Sequence, residues 1–388
     1  MNSESHIMKK KPVGLYIHIP FCLKKCGYCD FYSLPLQSPA QLQSYTDAIR
    51  LEIEKLATLF SDSIILSIYL GGGTPSLLGL EQLQSIVEAV AYNFNVSSNA
   101  EISLEMNPAT RREGFLRGIL AAGVNRISLG IQSFSPEELR VLGRVHGYYE
   151  IMQSIEALHK EGCQNFNLDL IYGIPGQSLE SWQRSLELAV SCGPQHISAY
   201  LLQLDESTAM ARAIESAQIE LLDEESENAM YHMALDYLPE KGFRHYELSN
   251  FCQAGFECRH NLNYWCGRDY IGIGAGAVSC IGRQRYRNRP FLKEYLMSLE
   301  VGQEAPVEIL EQMSAEEKMR EEIILALRLC DGIDLAQFAA RYQLDFRERF
   351  AVEIEDAEQK GLLKLENNRL CLTRRGYFLS NQVFCRFI

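Results

Sequence analysis

Hydrophobic and polar positions alternate along the first half of the chain in two distinct registers. From Val13 to about His196, short runs rich in aliphatic and β-branched residues take turns with longer stretches of helical period. The short runs predict strands over Gly14–Ile19, Ile64–Leu70, Glu101–Glu105, Arg126–Ile131, Asn167–Ile171 and His196–Leu201. The stretches between them predict helices over Ala40–Leu59, Glu81–Tyr92, Arg112–Ala122, Tyr149–Lys160 and Leu179–Val190. Strands that alternate with helices build βαβ units and a parallel sheet, and ligands then bind at the carboxyl ends of the strands. Six such units fit a partial (β/α)6 barrel; a full eight-unit barrel is disfavoured because the alternation blurs after Gln203.

The pattern changes from Ser314 onward. Helical stretches Ala315–Arg328, Asp334–Tyr342 and Phe346–Lys360 precede two alternating runs that flank Asn367-Asn368, a hairpin signal. The expected unit is a small C-terminal winged-helix-like α+β domain. Its charges are balanced without a basic stripe, so a structural or capping role is expected rather than DNA binding. The expected division is a tail over 1–12, an α/β barrel over 13–250, a linker region over 251–313 and the C-terminal domain over 314–388.

Composition narrows the function classes. The net charge of −13 argues against a nucleic-acid partner, whose binding draws its affinity from phosphate neutralisation. No stretch approaches the ~20 apolar residues of a membrane span. Met1 to Lys11 carries Lys9-Lys10-Lys11 with no apolar signal segment behind it. A cytoplasmic location follows as the expectation, and there the 12 cysteines are thiols or metal ligands rather than disulfides. The pattern leaves open whether the chain forms a homodimer.

Polar groups and glycines collect where the fold class places ligands. Cys22 follows strand one, Gly71-Gly72-Gly73-Thr74-Pro75 follows strand two, and Glu105-Met106-Asn107-Pro108 closes strand three. Gln132 ends strand four, and Asp169 lies in strand five ahead of Tyr172-Gly173-Ile174-Pro175-Gly176. This is the sequence signature of an active site at a barrel mouth. Cys22, Cys26 and Cys29 form a C-x3-C-x2-C triplet on the first of these loops. Soft thiolates at this spacing can converge on one metal centre, and iron–sulfur clusters favour them. Three local cysteines leave one iron of a [4Fe–4S] cluster open to a ligand. Zinc is the rival, but zinc usually pairs two short knuckles, and Cys252 and Cys258 stand too far apart to form a second one. The glycine loop permits close backbone approach to a ligand, or serves only as a tight turn. Glu105 can accept two hydroxyl hydrogen bonds, as a ribose offers, or can face a helix N-terminus.

The run Tyr16-x-His18-Ile19-Pro20-Phe21-Cys22-x3-Cys26-x-Tyr28-Cys29 resembles the radical S-adenosylmethionine (SAM) signature of the oxygen-independent coproporphyrinogen III oxidase family, which includes the HemW-type haem chaperones. The resemblance extends from Leu15 through the C-terminal domain. It implies a radical SAM barrel with a [4Fe–4S] cluster on Cys22, Cys26 and Cys29, and SAM as a second cofactor. It further implies that Tyr16, Gly72, Gly73, Thr74, Glu105, Gln132, Arg144 and Asp169 line the SAM region. The implied chemistry is reductive cleavage of SAM to methionine and a 5′-deoxyadenosyl radical, with the protein aiming the radical.

Two activities remain within this resemblance: oxidative decarboxylation of coproporphyrinogen III, and binding of haem for delivery to haem-accepting proteins. The oxidases resembled carry a further cysteine two residues beyond the third ligand and a longer N-terminal extension. Here Phe31 occupies that position, and 21 residues precede Cys22. His260-Asn261-Leu262-Asn263-Tyr264-Trp265 matches the HNxxYW motif typical of the haem chaperones. The expected haem site is therefore His260, Tyr264 and Trp265, since an imidazole can ligate haem iron and aromatic rings can stack on a porphyrin. The alternative for these residues is a buried loop in which Trp265 packs and His260 hydrogen-bonds.

Overall fold

The computed structural model describes residues 11–110, 112 and 114–388. Of the expected tail, residues 1–10 lie outside the described residues, while Lys11 and Pro12 open the first strand. The strands in chain order are β1 (Lys11–Ile19), β2 (Phe21–Cys22), β3 (Leu34–Pro35), β4 (Ser63–Gly72), β5 (Val96–Met106), β6 (Arg126–Gln132), β7 (Phe166–Tyr172) and β8 (His196–Leu201). Between and after them run α1 (Pro39–Leu59), α2 (Leu80–Asn93), α3 (Phe115–Ala121), α4 (Pro136–Val141), α5 (Tyr148–Lys160) and α6 (Leu179–Ser191). β1 and β4 to β8 pair in sequence as parallel neighbours, so the partial (β/α)6 barrel of the sequence reading is the architecture observed.

The barrel strands are two-faced. Outward positions such as Leu15, Ile17, Ile68, Leu70, Leu104, Ile127, Leu129, Leu168, Leu170 and Ile197 join the large hydrophobic core under the helices. The alternate positions face the bore and are polar or small: Gly14, Tyr16 and His18 on β1, Ser67, Tyr69 and Gly71 on β4, Glu101, Ser103 and Glu105 on β5. β6 to β8 continue the row with Arg126, Ser128, Asn167, Asp169, His196 and Ser198. Aliphatic burial against helices drives the sheet to close, at about 25 cal/mol per Å² of apolar surface. The bore is held by hydrogen bonds instead.

Residues 251–313, read from the sequence as a linker region, carry substantial structure. After α7 (Ala209–Glu215) and α8 (Glu224–Glu240) come β9 (Arg244–Glu247) and β10 (Asn250–Cys252); β10 pairs antiparallel with β8, and β9 pairs antiparallel with β10 at the sheet edge. The HNxxYW residues form α9 (Arg259–Trp265). β11 (Tyr270–Ile273) then pairs parallel to β1 on its outer side, followed by the antiparallel strands β12 (Val278–Ile281), β13 (Gln284–Asn288) and β14 (Val307–Gln312), with α10 (Leu292–Glu300) between the last two. These strands are four to six residues long, too short for a clear periodic signal. A buried carboxylate ties the region down: Glu52 of α1 accepts from the Gly274 amide, Asn288 and the Tyr295 hydroxyl.

The C-terminal part opens with α11 (Ala315–Leu327) and contains a three-stranded sheet. Its hydrophobic core is separate, centred on Phe338, Phe346, Phe350 and Phe387. Asn367 and Asn368 both adopt left-handed φ, 49° and 60°, as a tight hairpin turn requires. The helix expected over Phe346–Lys360 is broken at Phe350, which folds back into this core. Among the described residues, no helix is long and apolar enough to cross a membrane.

Candidate functional site

The carboxyl ends of β4 to β8 and the cysteine loop enclose one cavity of about 470 Å³. Ten of the residues singled out in the sequence line it: Cys22, Cys26, Cys29, Gly72, Gly73, Thr74, Glu105, Gln132, Arg144 and Asp169. Tyr16 stands behind this wall, its hydroxyl 3.0 Å from His18 Nδ1 and its ring stacked on Tyr69.

The cysteine loop is built as a clasp. β2 and β3 pair in parallel at its two ends, with Leu34 N–H donating to Pro20 O and Leu36 N–H donating to Cys22 O. The middle is pinned from α7, where the Met210 amide donates to Gly27 O at 2.8 Å. All three cysteines are free thiols with partial exposure. Burial pushes the Cys29 thiol up to about 11 and also raises that of Cys22, so a metal would have to displace protons to bind them. Thr74 Oγ1 lies 3.7 Å from Cys22 Sγ, and Arg144 Nη1 lies 3.6 Å from Cys26 Sγ. Among the described residues, no three metal-ligating side chains already meet in metal-binding geometry. The thiols nonetheless share one cavity on one short loop, and three soft donors suit an iron–sulfur cluster.

The glycine loop is shaped by the cysteine loop. A Cβ at Gly73 would stand 2.7 Å from the Phe21 carbonyl oxygen, and the Gly73 amide donates to Ile19 O. Gly72 has φ +112°, and a Cβ there would strike the His18 ring at 2.5 Å. The glycines are therefore required by close approach within the protein, whatever they also offer a ligand.

Two carboxylates stand in the cavity. Glu105 accepts from the Tyr69 hydroxyl at 2.9 Å and from the Gly72 amide at 3.1 Å. Burial, reinforced by the charge of Asp169, raises Glu105 to about 7. Asp169 accepts from Ser128 at 3.0 Å and from Asn167 at 2.7 Å, yet burial still raises its pKa. Such a pair favours a ligand that brings positive charge or hydroxyl donors. Gln132 reaches the cavity through a bulge: the β6–β7 register shifts between Gly130 and Gln132, and Gln132 takes φ +68°. Arg144 donates through Nη2 to Gly130 O at 2.8 Å, while its buried Nε has no partner. Arg144 lines the cavity, and its guanidinium suits a carboxylate-bearing ligand there.

The expected haem residues lie elsewhere. α9 plugs the opposite, amino-terminal end of the bore, and His260 is 1% exposed. Its Nδ1 is 2.9 Å from Ser67 Oγ and its Nε2 is 2.9 Å from the Tyr264 hydroxyl. Burial lowers His260 to about 3, so the ring is neutral. Trp265 is half-buried, with the Arg328 guanidinium 4.4 Å over its ring and its indole N–H unpartnered.

Sequence reasoning missed Tyr69, Glu101, Arg126 and the Ser128–Asn167 pair, all of which face the bore. A signal was present: within β4 and β5, polar residues recur at every second position between aliphatic ones. Read as a barrel, that alternation names the bore-facing set.

Residues 16–189 match the family model of the radical SAM superfamily, and residues 313–379 match that of the HemN C-terminal domain. A solved structure reported as coproporphyrinogen III oxidase (HemN) from Escherichia coli, a radical SAM enzyme, shares the fold with a TM-score of 0.84 over 98% of this chain and 90% of that one, at 24% identity. Barrel, cysteine loop and C-terminal domain define the class, a radical SAM protein, which implies a [4Fe–4S] cluster and SAM. The chain is 38% identical to heme chaperone HemW of Mycobacterium tuberculosis over 97% of its length and 95% of that relative. It is 33% identical to heme chaperone HemW of Bacillus subtilis over 96% of its length and 98% of that relative. The chain belongs to the HemW heme chaperone family.

Proposed function

We propose that this protein binds haem and delivers it to haem-dependent proteins, using a radical SAM barrel as its scaffold. The observation that carries this is the near-complete alignment, 97% of the chain, with a relative named as a heme chaperone. Phe31 supports the chaperone over the oxidase: it stands 57% exposed at the cavity mouth, where the oxidases resembled have a cysteine.

Cys22, Cys26 and Cys29 would hold the cluster, and Gly72, Gly73, Thr74, Glu105, Gln132, Arg144 and Asp169 would form the SAM side of the site, with Tyr16 supporting that wall from behind. When bound, cluster and SAM supply one-electron reduction of a sulfonium; the chain's own residues bind, orient and exclude water. Glu105 is held in one orientation by Tyr69 and the Gly72 amide, leaving its free lone pairs to ribose hydroxyls. The guanidinium of Arg144, at the cavity wall, would pair with a carboxylate.

Of the residues the resemblance marks for haem, Trp265 is half-buried with Arg328 over its ring, and it would stack on a porphyrin through the surface that remains exposed. His260 would ligate iron only after releasing Ser67 or Tyr264. The proposed division keeps the barrel over 13–250, the motif region over 251–313 and a HemN-like cap over 314–388. Haem-accepting proteins in the cytoplasm are the proposed partners, and self-association as a homodimer is a further proposal.

The test pairs two measurements on one anaerobic, cluster-loaded sample. Haem titration is expected to give a saturable Soret band, and coproporphyrinogen III with SAM and reductant is expected to yield no protoporphyrinogen. Product formation without saturable haem binding would reverse the assignment.

A further inference from the structure

At the base of the bore, α9 is wired to the strands that carry the cavity carboxylate. The buried Glu101 of β5 accepts from the Arg259 amide at 3.0 Å and the His260 amide at 3.2 Å, fixing the start of α9 to that strand. Gly14 of β1 makes room for this approach, since a Cβ there would lie 2.8 Å from Asn263 Nδ2. From α9 the His260 ring reaches across the bore, bonded to Ser67 of β4 through Nδ1 and braced by the Tyr264 hydroxyl at Nε2. Tyr264 is itself wedged edge-on between His260 and Tyr270, with ring centroids 4.9 and 4.7 Å away. The His260 ring stacks on Tyr69, centroid to centroid 5.1 Å at 25°. Tyr69 in turn donates its hydroxyl to Glu105.

We infer that His260 and Tyr264 are positioning residues for Glu105, acting through the Tyr69 ring, rather than ligands of haem iron. The inference rests on the proposed role of Glu105 in holding SAM. Three features support it. An axial ligand needs a free ring nitrogen, and both nitrogens of His260 are engaged within the protein. An axial ligand also needs room for a porphyrin on one side, and His260 is enclosed in the bore. Finally, Tyr69 can hold Glu105 only while its ring is kept in place. His260 covers one flank of that ring, and Tyr16 stacks on it at 6.3 Å. Without His260 the ring can tilt, and Glu105 loses the donor that orients it.

The test measures SAM and haem affinities separately on cluster-loaded protein. SAM is followed by equilibrium dialysis and by the change it causes in the EPR spectrum of the reduced cluster, and haem by Soret titration. Glu105→Gln is expected to weaken SAM about tenfold, losing charge-assisted hydrogen bonds. Tyr264→Phe and His260→Ala are expected to weaken SAM roughly threefold to tenfold and to broaden the SAM-induced EPR change, with haem affinity within about twofold of wild type. His260→Asn retains a group facing Ser67 and recovers part of the loss. A collapse of haem affinity in His260→Ala and Tyr264→Phe with SAM unchanged overturns the inference, as does equal loss of both ligands together with thermal stability. A Glu105→Gln protein that binds SAM normally would overturn the assignment of Glu105 itself. Wild-type protein that binds no haem would overturn the chaperone proposal and leave the SAM comparison intact.

Discussion

The two ends of the barrel bore are made from the same strands and differ in what their polar groups face. At the amino-terminal end, α9 inserts into the bore, and Glu101, Ser67 and His260 find partners inside the protein. At the carboxyl-terminal end the bore stays open. Glu105 and Asp169 line the cavity there and keep raised pKa values. A closed polar network rigidifies, whereas polar groups that line a cavity are free to meet a ligand. One end is therefore scaffold and the other is site, although their residue types are nearly the same.

The largest expected break in this comparison is at the open end. Cys26→Ala removes one of three thiols and should abolish cluster assembly, read as loss of iron and acid-labile sulfide after anaerobic reconstitution. Fold and thermal stability of the cluster-free chain should change little, because Cys26 is only partly buried and belongs to none of the hydrophobic clusters of the described residues.

Next comes a pH effect from the same end. Glu105 is raised from 4.5 to about 7, so the folded protein holds this proton over a range in which the unfolded chain has released it. Its favourable contribution is complete below pH 4.5 and is lost as pH rises through about 7. A shift of this size corresponds to roughly 3 kcal/mol. Urea unfolding of cluster-free protein should show wild-type stability falling across that window relative to Glu105→Gln, which cannot ionise. Parallel curves for the two proteins would refute the assignment.

At the closed end, Glu101→Gln should cost about 2 kcal/mol, since two α9 amides lose a charged acceptor in a buried setting. Urea midpoints are the measure, and the loss should be independent of SAM. The smallest effect belongs to Tyr16→Phe. Among the described residues its hydroxyl hydrogen-bonds only to His18, so stability should fall by under about 1 kcal/mol and SAM affinity should hardly move. A large SAM effect there would place Tyr16 in the ligand-binding wall rather than behind it.

Much of this was legible before any coordinates. The six barrel strands, their helices and the Asn367-Asn368 hairpin follow from local periodicity and turn chemistry. Most of the cavity-lining set was legible because a parallel barrel places strand ends at one mouth, while Arg144, which follows α4, was reached only through the family resemblance. The region after Gln203 was not. β11 is four residues long and pairs with β1, whose partner residues lie more than 250 positions earlier, so no local pattern announces it. His260 shows the same limit most clearly. By composition the HNxxYW run suits a haem ligand set, and nothing within it says that Ser67 and Glu101 are waiting across the bore.

The amino-acid order alone determined the elements, the convergence of polar strand ends and the thiol triplet, because each depends on neighbours a few residues apart. Only the tertiary structure decided which polar groups would be enclosed against α9 and which would line an open cavity. That outcome depends on α9 entering one end of the bore and not the other, a contact between segments some 160 to 190 residues apart.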